Sequence, residues 1–151
     1  VSSPKRIWPK PEDAPEVIDT LIAVRSEDVP RVWPKIEHYL HEANEYGGGK
    51  LTMHDWLVKT LCGYSELLVS PDHMSAVIGE PQQYPRKRVY GVILMGGEGD
   101  HPWESYQQVF EDRAKLSNCT SVEIFGRPGW KHILEQRLGY SRAHWVWRKE
   151  I

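Results

Sequence analysis

The spacing of apolar residues changes period several times along the chain, and each change predicts an element. Residues 17–24 (VIDTLIAV) form a short apolar run that predicts a first strand. After it Val29, Val32, Trp33, Ile36, Tyr39, Leu40 and Ala43 recur three and four apart, the stripe of a helix with one buried face. Ser26 or Asp28 offers a cap, and the acids Glu27 and Asp28 suit the positive end of the helix dipole. Pro34 falls inside the stripe, so either the helix kinks there or it begins at Pro34 after a tight turn. Gly47-Gly48-Gly49 ends it. Thr52, with Asp55 three residues on, reads as a capping box. It opens a second helix whose inner face is Trp56, Leu57, Thr60 and Leu61 and whose stop is Gly63.

Strands follow. Residues 64–70 (YSELLVS), a Pro71-Asp72 turn and residues 73–78 (HMSAVI) predict a hairpin. Residues 79–85, which hold Pro81 and Pro85, read as a loop. Residues 86–95 (RKRVYGVILM) form the longest strand, and its second half is apolar on both faces, which predicts a central position. Gly96-Gly97-Glu98-Gly99 is expected to break it. Asp100 and Pro102 then start a helix with Trp103, Tyr106, Phe110 and Ala114 as its buried stripe. Residues 120–125 predict another strand, 130–138 a short helix closed by Gly139, and 140–149 (YSRAHWVWRK) a last strand. Trp145 and Trp147 would share one face of that strand.

The resulting order is β-α-α-β-β-β-α-β-α-β, a mixed α/β domain over residues 17–151. The strand–helix–strand at 86–125 is long enough for a parallel crossover. Residues 1–16 stand apart as an extended arm, because Pro4, Pro9, Pro11 and Pro15 exclude helix.

Composition narrows the function classes. A formal net charge of -2 gives no general drive toward nucleic acid or an anionic membrane. No apolar run approaches the ~20 residues of a membrane span, and the first residues lack the apolar stretch of a signal peptide. Cys62 and Cys119 have no metal-site spacing and are expected to be free thiols. His38 and His41 lie one turn apart on the polar face of the first helix, a solvated face rather than a metal site. No metal is expected. Seven Trp in 151 residues are more than a core of this size easily buries, which points to a protein partner. The candidate contact residues are Ile7 and Trp8 in the arm and Trp145 and Trp147 in the last strand.

The element order from about Val17 onward resembles the GNAT N-acetyltransferase fold. The most specific match is the tail: Gly126-Arg127-Pro128-Gly129-Trp130, then Leu134, then Arg137-Leu138-Gly139-Tyr140. The Gly-Gly break with a Trp soon after it, together with the GRPGW turn, resembles GNAT-like proteins encoded among the structural genes of small tailed bacteriophages.

The resemblance implies an acyl-CoA pyrophosphate held by backbone N–H groups between the long strand and the next helix, at a helix N-terminus. The residues it points to are Gly96, Gly97, Gly99 and His101, since glycine lets backbone approach a phosphate. The Gln or Arg that the family carries before that loop is missing, and Glu98 and Asp100 place carboxylates there. Two charges ~5 Å apart repel by about 3 kcal/mol at an effective dielectric of ~20, roughly a hundredfold in affinity. Where many members carry a Tyr as general acid, four residues before the Gly of the Gly-aromatic pair, this chain has Glu135; where they carry an Asn it has Pro128. An ionised Glu is a poor proton donor. Glu66, Glu80 and Glu123 are the candidate bases, with no pattern to choose among them.

The sequence therefore ranks three readings. The first is a non-catalytic GNAT-like protein that needs no cofactor and contacts other subunits, as a component of a phage particle or of its assembly, in the virion or the host cytoplasm. The second is an acyl-CoA N-acetyltransferase with a divergent loop, using acetyl-CoA. The third, a nucleic-acid accessory protein using Arg86-Lys87-Arg88, is opposed by the charge balance.

Overall fold

A computed structural model describes residues 21–99, 101–144 and 146–151. Ile7, Trp8, residues 17–20, Asp100 and Trp145 lie outside the described residues.

The first helical stripe folds as expected. A 3-10 turn, Ser26–Asp28, leads into α1 (Val29–Tyr46), and Val29, Val32, Trp33, Ile36, Tyr39, Leu40 and Ala43 are all buried. Neither alternative for Pro34 holds: the helix starts five residues earlier, with Pro30 in its first turn, and runs through Pro34. Asp28 sits at the cap position but makes no side-chain capping bond. In α2 (Met53–Leu61) the capping box forms, with Thr52 Oγ1 accepting from the Asp55 amide and the Asp55 carboxylate accepting from the Thr52 amide. The two helices are pinned by Asn44, which accepts from Trp56 Nε1 at 3.1 Å and donates to the Leu51 carbonyl at 2.7 Å.

Five strands make one sheet in chain order: β1 (Ile22–Ala23), β2 (Glu66–Val69), β3 (Ser75–Gln83), β4 (Arg88–Gly97) and β5 (Ser121–Ile124). All pairs are antiparallel except β4 with β5, which are joined by the crossover helix α3 (Trp103–Leu116). The sheet is buried on both faces. One face, with Leu67, Val69, Ala76, Ile78 and Leu94, packs on α1 and α2. The other, with Leu68, Val77, Tyr90, Val92 and Met95, packs on α3 through Trp103, Tyr106, Phe110 and Ala114. The central position expected for residues 86–95 follows from this double cover.

Three expectations fail for physical reasons. Residues 79–83 are strand, not loop: β3 continues to Gln83, with Pro81 opposite Tyr90. β2 ends opposite Gly79, so this stretch of β3 pairs with β4 only, an edge position where a missing N–H is tolerated. Gly96-Gly97 does not break β4, because both residues pair with β3, at Ala76 and Ser75. Gly96 is there for packing: a Cβ would lie 2.5 Å from the Tyr39 carbonyl of α1. The last strand does not form among the described residues of 140–151. The tail after β5 makes a 3-10 turn, Pro128–Trp130, that runs into a π-type turn, Ile133–Arg137, and then irregular chain. Val146 is 70% and Trp147 85% exposed, and a Cβ on Gly48 would meet the Arg148 guanidinium at 2.2 Å, so the tail lies against the α1–α2 turn. Alternation fits a strand, but it names no strand to pair with.

Candidate functional site

The site arises from one extra residue. In the β3–β4 ladder Ile78 faces Leu94 and Gly79 faces Val92, so Ile93 is inserted in β4 as a bulge. A bulge bends its strand. The β4–β5 ladder ends at this point, with Val92 opposite Ile124 and the Phe125 amide donating to the Val92 carbonyl at 3.1 Å. Beyond it β4 runs on to Gly97 beside β3 while β5 turns away. The gap is a cavity of about 1500 Å³. Its wall includes Trp56, Lys59 and Glu80 on the α2 side and Gln107, Leu134 and Tyr140 on the α3 side, so it passes through the sheet's plane at the split.

A second cavity of about 600 Å³ adjoins it and shares Met95, Arg127 and Trp130. Here Gly96, Gly97, Gly99 and His101 come together, as the sequence implied, at the start of α3. Arg127 and Arg137 also line it, two cations the sequence reading did not single out. Their spacing from the loop, 30 residues or so along the chain, carries no signal of proximity.

The loop's amides are largely committed. Glu98 donates its N–H to the Met74 carbonyl at 2.9 Å, extending the β3–β4 hairpin. Trp103, first residue of α3, donates to the His101 carbonyl at 2.9 Å. A Cβ at Gly97 would sit 2.6 Å from the Met74 carbonyl, so this glycine serves the hairpin. Gly99 has φ +72 with open space around it, the one loop glycine whose conformation itself demands glycine. The Glu98 carboxylate turns to the α1 side, where, after burial, it is what raises the Tyr39 phenol above its ordinary pKa. Its repulsion of an anion at α3 is thereby reduced.

Aromatic rings fill the helix start. Trp130 of the GRPGW turn meets Trp103 edge-on with centroids 5.2 Å apart, and His101 lies within 5.8 Å of Trp103 and 6.3 Å of Trp130. Arg127 stacks over Tyr46 at 4.8 Å and over Trp130 at 5.7 Å. Arg137 pairs with Glu104 of α3. The motif that carried the family resemblance is thus the clasp that holds the tail on α3.

The candidate acids and bases are dispersed. Glu66 is bound by Arg113 through both carboxylate oxygens, at 2.6 to 3.2 Å, and accepts from the buried Tyr90 hydroxyl at 2.6 Å. Burial lowers the pKa of Arg113, but the hydrogen bonds and charge of Glu66 outweigh it and leave it raised. Glu80 faces the large cavity but accepts from Ser65 Oγ at 2.6 Å and pairs with Lys59 at 2.8 Å. Glu123 lines the same cavity. Glu135 sits 3.7 Å from Arg142 at the surface side of the tail. Tyr140, expected to open a strand, instead lines the large cavity and donates its hydroxyl to Gln107. Burial, only partly countered by Gln107, pushes its pKa up to about 12.

The basic run at 86–88 is divided. Arg88 Nε donates to the Ser117 carbonyl at 2.6 Å and ties β4 to the end of α3, while Lys87 borders the large cavity. Cys62 and Cys119 are free thiols. Among the described residues no cluster of His, Cys, Asp or Glu could hold a metal, and no helix is long and apolar enough to cross a membrane. Trp147 is exposed on the irregular tail, and the contacts expected of Ile7, Trp8 and Trp145 lie outside the described residues.

A five-stranded mixed sheet whose one parallel pair splits over a bulge, beside a Gly-rich strand–helix turn, defines an acetyltransferase-type α/β domain. Solved structures give the fold its name, GNAT. The chain is similar to a Clostridium acetobutylicum protein described as a predicted acetyltransferase, solved with acetyl-CoA: TM-score 0.63, 9% identity, covering 86% of this chain and 95% of that one. A GCN5-related N-acetyltransferase from Ralstonia eutropha JMP134 matches with TM-score 0.59 and 14% identity, over 86% and 97% of the two chains. A ribosomal-protein-alanine N-acetyltransferase from Brucella melitensis biovar Abortus 2308 matches with TM-score 0.58 and 13% identity, over 87% and 99%. No sequence-family model matches the chain, and no curated protein matches it in sequence. At such identities the likeness is one of fold.

Proposed function

We propose that this chain is a non-catalytic GNAT-like domain that works through contacts with other protein subunits. The observation that carries the reading is the closed anion loop: the Glu98 and Trp103 amides already donate to the carbonyls of Met74 and His101. A pyrophosphate would have to break those bonds to be held, and a buried carbonyl left unpaired costs about 1–3 kcal/mol. The proton-transfer positions agree. Glu66 and Glu80 are bound to cations, and Glu135 pairs with Arg142. Tyr140, with a pKa near 12, lies about 3.5 units above a thiol, so giving its proton to a leaving thiolate would be uphill by about 5 kcal/mol. The resemblance of the Gly126–Trp130 turn suggests the setting, a tailed-phage particle or its assembly, with other structural subunits as partners.

Calorimetric titration with acetyl-CoA tests the reading. No heat at millimolar ligand is expected. Micromolar binding would overturn it.

One observation favours a second reading, an acyl-CoA N-acyltransferase. The through-sheet cavity and the loop cavity are continuous, and His101, Arg127 and Arg137 surround the loop where an anion would lie. In that case acetyl-CoA would bind, and Glu80 or Glu123 would face the acceptor amine. Release of free thiol from acetyl-CoA in the presence of polyamine or peptide acceptors would support it.

A further inference from the structure

The large cavity has a charge that the chain as a whole lacks. Eight Lys or Arg residues and four Glu line it, a net of four positive charges in a protein whose formal charge is -2. Lys50, Lys87, Lys115, Lys131 and Arg148 stand on its rim as exposed side chains. Among the described residues none of the five is within ion-pair distance of a carboxylate. The floor is apolar, with Ile93, Leu94, Ile124 and Leu134. Such a trough suits an extended segment that carries several acids and a few aliphatic residues.

The chain contains one such segment. Residues 12–19 read EDAPEVID: four acids, no base, and the aliphatic pair Val17-Ile18. We propose that this acidic stretch of the N-terminal arm seats in the cationic trough of a second copy of the chain. The inference rests on the reading of the domain as one that works by protein contact.

Chain length selects the second copy. Leu21 leads into β1 at one edge of the sheet, and the trough lies at β5, the opposite edge. Four strand spacings of ~4.8 Å separate those edges by about 19 Å in a straight line. Glu16 is five residues from Leu21, which at ~3.4 Å per residue reaches at most about 17 Å. The straight line is itself blocked on both faces, by α1 and α2 on one and α3 on the other. Glu16, Val17, Ile18 and Asp19 therefore cannot enter their own trough, while in a pair of chains each arm can reach across to the other's. A two-fold pair with both arms exchanged uses both troughs and leaves no open end.

The test is a charge swap on the full chain, read by sedimentation velocity. In one variant the arm is reversed (Glu12→Lys, Asp13→Lys, Glu16→Lys, Asp19→Lys). In the other the trough rim is reversed (Lys50→Glu, Lys87→Glu, Lys131→Glu, Arg148→Glu), all exposed positions whose near-ultraviolet Trp dichroism reports folding. The unsubstituted protein is expected to dimerise at micromolar concentration and to dissociate as salt rises. Each variant alone should dimerise about a hundredfold more weakly. Mixed in equal amounts they should regain the dimer, because each arm then meets a trough of opposite sign. A monomeric unsubstituted protein, which would leave the trough to a foreign acidic partner, overturns the proposal. So does a variant that keeps full association, or a mixture that fails to regain it. Those results leave the calorimetric outcome with acetyl-CoA untouched, so loss of the arm's seat and loss of the non-catalytic reading are separately visible.

Discussion

Glu66 separates the structural from the catalytic account most sharply among the acids. Its carboxylate receives Arg113 Nη2 at 2.6 Å, Arg113 Nε at 3.0 Å and the Tyr90 hydroxyl at 2.6 Å, so it links β2, β4 and α3 in one network. The side chains of Arg113 and Glu66 are only 20% and 19% exposed, and Tyr90 is fully buried. Glu66→Ala would strand a guanidinium and a phenol. Removing one partner of a buried pair costs about 3–5 kcal/mol. A guanidinium one-fifth exposed recovers some hydration, so we take about 3 kcal/mol. At roughly 2–4 °C per kcal/mol for a domain of this size, the melting temperature should fall by about 6–12 °C. Arg113→Ala should cost a similar amount, and the double variant should lose much less than the sum, with a coupling above about 1 kcal/mol. Urea unfolding of the four proteins gives these numbers. A loss under about 1 kcal/mol for Glu66→Ala, or additive losses, would refute the network and return Glu66 to the list of possible bases.

Other outcomes follow from the same geometry. Gly96→Val puts a Cβ where the Tyr39 carbonyl now lies 2.5 Å away, and should destabilise by about 1–3 kcal/mol in the same unfolding assay. The Asp55 carboxyl is held below its ordinary value first by the Thr52 amide and then by the Thr52 hydroxyl. A lowered native pKa stabilises above the unfolded value near 4 and loses that contribution as pH falls through the native one. The melting-temperature gap between the protein and Asp55→Asn should therefore hold above about pH 5 and close below about pH 3. Tyr140 has the opposite sign: its native pKa of about 12 favours the neutral phenol, so its contribution is full below pH ~10 and fades as pH rises toward 12. Alkaline ultraviolet titration should lose a step near pH 12 in Tyr140→Phe.

Periodicity made much of this fold legible. The α1 stripe, the capping box at Thr52 and the buried stripe of α3 were readable because each is set by neighbours three or four residues apart. So was the parallel crossover, which needs only length. What failed depended on a partner strand. Pro81 argued for a loop and sits in β3 because β2 has already ended. Gly96-Gly97 argued for a break and is instead a close approach to α1. Residues 140–149 alternate like a strand yet find no ladder among the described residues, and Trp147 stays exposed. At the site, the four loop residues were legible from the family pattern, and the structure brings them together. The bulge at Ile93 that opens the split has no local signature, and neither do Arg127 and Arg137, which reach the loop only through the path of the tail. The expected clash of Glu98 with an anion was misjudged because its side chain direction depends on Tyr39, across the hairpin.

The central claim is that the loop between β4 and α3 is closed on its own carbonyls. Amide resonances of Glu98 and Trp103, followed by nitrogen–proton correlation spectra during addition of acetyl-CoA, test it directly. The account predicts that both signals stay in place at millimolar ligand and exchange slowly with solvent, as internally bonded amides do. Saturable shifts of both signals at micromolar acetyl-CoA would show the loop opening to a pyrophosphate, and would contradict the account.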